Sequence, residues 1–236
     1  FYGYVSPTIA QLVPAPNEAA NSKDIVIPNF KGRELPVQFG SNEHQPDWVW
    51  QQHQNTQKTT SASLLWQVQG IGNGISPPDP TGEADSSVYI QGTNSGSGGS
   101  YKIFNKYTGA SVSGTLVMAT TLASPTVGGL GDPIILYYKS AKRWIITQFA
   151  TQAQKKLLVY VSQTSNPQGA YHFYQFTCPN FPDYPKWSIS ETSDALLATT
   201  NEGGPPRVYA MKLSALISGA NSPFIGVPIG YTLNGF

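Results

Sequence analysis

From residue 76 onward, short runs of β-branched and aromatic residues alternate with turn-forming residues. Runs of this length, bounded by Gly, Pro, Asn and Asp, are typical of β-strands joined by tight turns. The first two runs predict a hairpin and the next four a meander. The predicted strands are residues 87–92, 101–105, 134–138, 144–149, 157–163, 171–176, 188–189, 195–200 and 208–212, with a Gly/Ser loop at 95–100.

The first 75 residues follow a different pattern. Prolines interrupt them often, and residues 51–60 contain almost no apolar side chain, which indicates an exposed loop. Only short strand-like pieces remain, such as residues 64–68. We therefore expect an irregular N-terminal segment over residues 1–75 that could contribute strands, followed by a regular β region over 76–236.

A weak repeat runs through the β region. Asp79, Asp132 and Asp183 each stand beside or near a proline, about 50 residues apart, ahead of a series of predicted strands. Four strands per repeat of this length are typical of a β-propeller blade, and a β-sandwich is the competing architecture. The sequence thus predicts an all-β fold of β-propeller blades. Because propellers need about four to eight blades, we expect a partial ring or a fragment, with the remainder of the propeller as a partner.

Composition narrows the functional classes. The formal net charge is +1 and only 11% of residues are charged, which argues against a nucleic-acid-binding surface. No apolar run is long enough to span a membrane as a helix. The single cysteine, Cys178, excludes an internal disulfide. Low charge with many Thr, Ser, Asn and Tyr residues, together with a first residue that is not Met, favours a processed, secreted bacterial protein.

Four motifs give a more specific likeness. They are Gly-Asp-Pro at 131–133, Arg-Trp at 143–144, Ser-Gln-Thr-Ser at 162–165 and Asp-Tyr-Pro-Lys at 183–186. In their order and spacing they resemble a family of bacterial secreted β-propeller proteins of poorly defined function. The resemblance covers roughly residues 76–219 and implies that the chain is an N-terminal portion of a longer propeller. Tyr138 departs from it, because that family carries an Asp there.

The three blade-start aspartates are the main candidates for chemistry. Equivalent positions of a propeller converge at one end of its central channel, so Asp79, Asp132 and Asp183 could bind a metal, with calcium as the candidate cofactor. Asp132, Asp183 and Glu202 could instead act as the carboxylates of a glycosidase. The simpler alternative is that each aspartate caps its turn.

Aromatic residues are candidates for ligand binding. Trp48, Trp50, Tyr171 and Tyr174 could stack on a sugar or a partner, although aromatic residues also pack the core of each blade. No serine stands in a nucleophile-elbow motif, and the histidines lack metal-site spacing. The favoured interpretation is a secreted, non-catalytic module that binds a glycan or a protein at a cell surface. A glycosidase-type hydrolase and a cation-stabilised scaffold are the alternatives.

Overall fold

The computed structural model describes residues 4–5, 64, 66–72, 74–122 and 127–229. The chain divides into two compact units, one formed by Phe1–Ile27 with Val68–Phe236 and the other by Pro28–Gln67. Within the second unit, the described residues Leu64, Trp66 and Gln67 belong to neither a helix nor a strand. The strand predicted at 64–68 is therefore wrong at the positions described.

The first unit contains three antiparallel sheets, each built from four strands in sequence order. We call them blades 1, 2 and 3. A two-residue strand, β1 (Tyr4–Val5), adds a fifth strand to the outer edge of blade 2. Blade 1 contains β2 (Thr81–Ala84), β3 (Val88–Ser95), β4 (Gly98–Asn105) and β5 (Leu116–Val117). Blade 2 contains β6 (Gly129–Tyr138), β7 (Arg143–Ala150), β8 (Lys156–Ser162) and β9 (Tyr171–Thr177). Blade 3 contains β10 (Asp183–Ser190), β11 (Ala195–Asn201), β12 (Arg207–Lys212) and β13 (Phe224–Pro228).

This arrangement confirms the predicted fold class. The described part of the chain is all-β apart from two short helices, and each repeat of about 50 residues forms one four-stranded meander. The first strand of every blade lies at one edge of its sheet, and β6 contacts both β2 and β10. The three first strands therefore form the inner side of a partial propeller.

Side-chain alternation along the strands explains why the blades stack. Neighbouring residues of a strand point to opposite faces, so Ile146 packs toward blade 1 while Ile145 packs toward blade 3. Both side chains are fully buried. The seam between blades 1 and 2 joins side chains from both sheets, including Ile90, Tyr101, Ile103, Trp144, Leu158 and Tyr160. The seam between blades 2 and 3 includes Leu157, Val159, Phe176, Leu196, Tyr209 and Met211.

Two short helices complete the described fold. Helix α1 (Met118–Leu122) follows blade 1, and α2 (Leu213–Ser218) connects β12 to the segment before β13. Leu213 and Leu216 of α2 pack into the seam between blades 2 and 3. The helix ends at Gly219, whose φ of 78° is left-handed and whose N–H bonds the carbonyl of Ala215. Among the residues that the structure describes, no helix is long and apolar enough to cross a membrane.

The structure corrects the predicted Gly/Ser loop at 95–100. Strands β3 and β4 continue through this stretch and turn at Gly96 and Ser97. The glycines sit in the seam with blade 2, where the N–H of Gly99 donates to Gln148 Oε1 at 2.9 Å. A Cβ on Gly99 would lie 2.7 Å from the sulfur of Met118. These glycines therefore allow a close approach between sheets rather than a flexible loop.

Candidate functional site

The three predicted blade-start aspartates lie on the inner strands. Asp79 precedes β2, and Asp183 is the first residue of β10. Asp132 lies inside β6, at a break in the register between Gly131 and Ile134. Its Asp-Pro motif had predicted a position ahead of the strand, and that prediction is wrong for Asp132. We call Asp79, Asp132 and Asp183 the aspartate cluster, because their carboxyl groups interact with one another.

A buried amide joins two members of the cluster. Asn94 is only 1% exposed, and its Nδ2 donates to Asp79 Oδ2 at 2.9 Å. Its Oδ1 accepts from the backbone N–H of Asp132 at 2.8 Å. The same Nδ2 donates to the carbonyl of Pro77 at 3.1 Å. Asn94 therefore ties the start of blade 1 to the inner strand of blade 2.

Local backbone geometry brings Asp132 to this amide. Gly131 has a φ of 149° and Asp132 a φ of 49°, a left-handed value that Asp tolerates better than most residues. A Cβ on Gly131 would lie 2.5 Å from Asn94 Oδ1. Glycine is therefore required at position 131 by the close approach of Asn94, and Pro133 is accommodated because β6 is an edge strand.

Burial and repulsion keep a proton on Asp132. Burial first, and then the neighbouring carboxyl groups of Asp79 and Asp183, raise the pKa of Asp132 to about 6, against the opposing effect of Lys186. A hydrogen bond with Asp79 adds to the rise. The pKa of Asp183 is also raised, mainly by burial and further by Asp79, although the N–H of Tyr184 opposes this. The carboxyl group of Asp132 therefore keeps its proton up to about pH 6.

An exposed aromatic ring and a lysine lie next to the cluster. Tyr184 follows Asp183, is 62% exposed and donates its N–H to Asp183 Oδ1 at 3.0 Å. The ammonium nitrogen of Lys186 lies 3.7 Å from the centroid of the Tyr184 ring. The site therefore combines carboxyl groups, one cation and a ring with an exposed surface.

The cluster lacks the geometry of a metal-ligand set. Among the residues that the structure describes, no three His, Cys, Asp or Glu side chains are placed to hold a metal ion. The carboxyl groups of Asp79 and Asp132 are instead engaged with each other and, for Asp79, with Asn94. The predicted calcium site at Asp79, Asp132 and Asp183 therefore gains no support from this arrangement.

Glu202, the third predicted glycosidase carboxylate, is engaged by residues of its own hairpin, β11–β12. It is 7% exposed and accepts hydrogen bonds from the hydroxyls of Thr200, at 3.0 Å, and Tyr209. Arg207 Nε lies 3.3 Å from its Oε2 as an ion pair. Tyr209 belongs to the seam between blades 2 and 3, so these contacts turn Glu202 toward that seam. Its interactions in the described part of the chain serve to close the β11–β12 hairpin.

The predicted ligand-binding aromatics are buried where they are described. Tyr171 is fully buried in the seam between blades 1 and 2, and its hydroxyl donates to the carbonyl of Pro167 at 2.9 Å. Tyr174 is 4% exposed, and its hydroxyl donates to the carbonyl of Leu216 at 2.8 Å. Both rings are enclosed in the seams between blades, so neither has a free face on which a ligand could stack. Trp48 and Trp50 lie outside the described residues.

Cys178 is not available as a nucleophile. It is buried at 3% exposure beside blade 3, and burial raises the pKa of its thiol to about 12. The thiolate needed for reaction is therefore scarce at neutral pH.

Three residues of the site were missed from the sequence. Asn94 lies between the strand predicted at 87–92 and the loop predicted at 95–100, and Tyr184 and Lys186 were considered only as parts of a motif. For the last two, a strand at this place puts Tyr184 and Lys186 on the same side, but alternation alone does not place them beside Asp183, where the register shifts. Asn94 had no local signal, since its partners lie 15 and 38 residues away.

Comparisons with known proteins add little beyond this geometry. No protein-family model matches the chain, and no curated protein matches it. Two solved structures are similar, each with a TM-score of 0.40. A bifunctional GH43-CE protein of Bacteroides eggerthii shares 13% identity over 59% of this chain and 18% of its own. A GH43 β-1,3-galactosidase shares 10% identity over 62% of this chain and 34% of its own. The chain thus spans about a third or less of the length of these structures.

Proposed function

We propose that this chain is a non-catalytic, secreted β-propeller module that binds a glycan at the aspartate cluster. The observation that carries the proposal is the convergence of Asp79, Asp132 and Asp183 from three different blades at one place. Carboxyl groups accept hydrogen bonds from sugar hydroxyls, and an exposed ring such as Tyr184 packs against the C–H face of a sugar. The low charge of the chain, 11% of residues, supports the proposed extracellular location.

Titration calorimetry against a glycan panel tests this function. We expect binding by the full chain. Asp183→Asn should reduce affinity at least about tenfold, since a hydrogen bond to a charged group contributes about 1.5–3 kcal/mol. Tyr184→Ala should also reduce affinity, because it removes the ring that packs against the sugar. Glu191→Gln is the matched control. It removes an exposed carboxylate from the β10–β11 turn, at the opposite end of β10 from Asp183.

The outcomes separate the two predicted partner classes. Binding to a surface protein that is unaffected by glycans would move the proposal to a protein partner. Silence toward both classes, or equal binding by the Asp183→Asn variant and the wild type, would contradict a binding role for the cluster.

The glycosidase alternative rests on the pKa of Asp132. A carboxyl group with a pKa of about 6 is suited to act as a general acid, with Asp183 as a second carboxylate. Glu202 does not complete this set, because its contacts are with Thr200, Tyr209 and Arg207. We expect no turnover of aryl glycosides; turnover abolished by Asp132→Asn would establish the hydrolase instead.

The cation-stabilised scaffold has a separate test. A bound calcium ion would stabilise the fold by about 2.7 kcal/mol at a concentration one hundred times its dissociation constant. We expect the melting temperature to be the same in excess calcium and in excess chelator, because the carboxyl groups of Asp79 and Asp132 already have protein partners. A rise with calcium that Asp132→Asn removes would favour the scaffold.

A further inference from the structure

Two peptide bonds of the chain join an aspartate to a proline, at Asp79–Pro80 and at Asp132–Pro133. Bonds of this kind are the peptide bonds most easily cleaved in mild acid, because the aspartate carboxyl group can attack the carbonyl carbon of its own residue. Proline favours this reaction, since its tertiary amide nitrogen has no N–H and leaves as a basic secondary amine. The structure gives the two bonds different surroundings.

The Asp132–Pro133 bond lies at an interruption of strand β6. Gly131 pairs with Phe149 and Ile134 pairs with Thr147, so the register shifts across the two residues between them. The bond therefore stands outside the regular ladder, on a strand at the edge of its sheet. Because Asp132 is only partly buried, water can reach this place.

The backbone at this bond is strained between two fixed ends. Asp132 has a left-handed φ of 49°, which raises the energy of a residue other than glycine. On one side, its N–H donates to Asn94 Oδ1 at 2.8 Å. On the other side, β6 is paired with β7 from Ile134 onward. Breaking the bond between Asp132 and Pro133 would release this strain.

A neutral carboxyl group on Asp132 supplies both the oxygen nucleophile and the proton that the cleavage needs. The charged groups that face it are Asp79 from blade 1, and Asp183 and Lys186 from blade 3. Burial and the two carboxyl groups outweigh Lys186 and raise the pKa of Asp132 to about 6. At pH 6 about half of the folded molecules carry this proton, against about 1% of unfolded chains, in which the pKa of Asp is about 3.9.

The Asp79–Pro80 bond provides a comparison within the same molecule. The carboxyl group of Asp79 is held by two partners, because its Oδ2 accepts from Asn94 Nδ2 at 2.9 Å and it also bonds the carboxyl group of Asp132. Asn94 is only 1% exposed, so water does not readily replace its amide when the carboxyl group turns away. Attack of Asp79 on its own carbonyl is therefore slower.

We propose that this chain cleaves itself between Asp132 and Pro133. A side-chain oxygen of Asp132 attacks the carbonyl carbon of the same residue, so that a C–O bond forms as the C–N bond to Pro133 breaks. The carboxyl proton passes to the nitrogen of Pro133, which becomes a new N-terminal amine. Water then opens the cyclic anhydride and leaves Asp132 as a C-terminal residue. The net reaction is a hydrolysis, and it is independent of the glycan proposed above.

The two fragments should remain associated after cleavage. Residues 1–132 include blade 1, whereas residues 133–236 include blade 3 and most of blade 2. The seam between blades 1 and 2 joins fully buried side chains of both fragments, among them Ile90 and Trp144. Cleavage is therefore detected only after the protein has been denatured.

Mass spectrometry under denaturing conditions, after incubation of the folded chain over a range of pH, tests this reaction. We expect fragments 1–132 and 133–236, with a rate that falls to half near pH 6 because it follows the protonated form of Asp132. At pH 6 the rate should be at least about tenfold higher than at the same bond in chains unfolded by urea. It should also exceed the rate at Asp79–Pro80. These comparisons use the wild type alone.

Two substitutions separate the nucleophile from the leaving group. Asp132→Asn removes the carboxyl group, and Pro133→Ala replaces the tertiary amide by an ordinary one, so each should slow cleavage at least about tenfold. Glu191→Gln, which removes an exposed carboxylate from the β10–β11 turn, should leave the rate unchanged. A chain that stays intact, equal rates in the folded and unfolded chain or at the two Asp-Pro bonds, or cleavage that survives either substitution would overturn the proposal.

Discussion

Asn94 is a single buried side chain that satisfies groups from two blades. It donates hydrogen bonds to Asp79 and to the carbonyl of Pro77, and it accepts one from the N–H of Asp132. Buried polar groups of this kind cost free energy when a partner is removed, because water does not replace it.

Replacing Asn94 by Ala should lower the free energy of unfolding by about 2–4 kcal/mol, since it leaves several buried groups without this partner. Chemical denaturation at pH 7 measures the change. Asn166→Ala is the control, because Asn166 is exposed and its Oδ1 accepts a hydrogen bond from the nearby Gln168 N–H at 3.0 Å. We expect a change of less than about 1 kcal/mol there. Equal effects of the two substitutions would contradict the bridging role of Asn94.

Asp132 makes stability depend on pH in a predictable direction. Its pKa is about 6 in the fold and about 3.9 in an unfolded chain, so the folded state binds more protons between these values. Stability from this group is complete below about pH 4 and is lost as the pH rises through 6.

Asp132→Asn should remove that loss while keeping a side chain that tolerates the left-handed backbone. We expect the free energy of unfolding at pH 7 to rise by about 1–2 kcal/mol, after allowing for solvent screening of a half-buried group. At pH 4 the variant and the wild type should agree closely. Denaturation at both pH values, with Glu191→Gln as the control, measures the difference. A variant less stable than the wild type at pH 7 would show that ionised Asp132 is favourable in the fold.

The sequence could predict the aspartates but not their setting. Asp79, Asp132 and Asp183 stand out because each is paired with a proline at a regular interval, which is a local signal. Asn94 contacts Asp79 and Asp132 because two sheets stack, and the spacing of these residues along the chain does not predict that contact. The buried ring of Tyr171 was misjudged for the same reason, since stacking decides which strand faces are enclosed.

At the level of elements, prolines within the inner strands made these strands difficult to predict from the sequence. The sequence predicted a strand over residues 188–189, whereas β10 starts at Asp183 and includes Pro185. A register shift between Asp183 and Lys186 accommodates that proline, as another shift accommodates Pro133 in β6. Proline is tolerated at both places because each strand lies at the edge of its sheet. The predicted strands that lack such interruptions agree with the structure to within a few residues, namely β3, β4, β7, β8, β9, β11 and β12. The outermost strands of blades 1 and 3, β5 and β13, were not predicted.

The end of helix α2 offers a test of one element. Gly219 has a φ of 78°, and a Cβ there would lie 2.5 Å from His172 Cε1 on β9. Gly219→Ala should therefore lower the free energy of unfolding by about 1–2 kcal/mol, because it strains the backbone and crowds the side chain of His172. Gly204→Ala is the matched control, because a Cβ at Gly204 has no neighbour within 4 Å. Thermal denaturation that ranks the two alanine variants equally would argue against this C-cap.

At the level of the whole array, blade 2 contributes to both seams. Ile146 and Ile145 are neighbours in β7, but their side chains enter different seams. Because blade 2 has buried side chains on both of its faces, it links the stability of all three blades.

Ile145→Ala and Ile146→Ala should each lower the free energy of unfolding by about 2–4 kcal/mol, because each leaves a cavity in a fully enclosed seam. Both variants should still unfold the three blades in one transition. Tryptophan fluorescence and far-UV circular dichroism, followed on the same sample, should give coincident curves. Early loss of blade 3 alone in Ile145→Ala would show that the blades unfold separately.

The two-residue strand β1 has a practical consequence for handling the protein. Tyr4 and Val5 pair with Phe173 and His172 on the outermost strand of blade 2. Removing them would leave the backbone groups of that strand without partners, and such edges recruit strands from other molecules. Deleting Tyr4 and Val5 should thus turn a protected sheet edge into a nucleus for self-association.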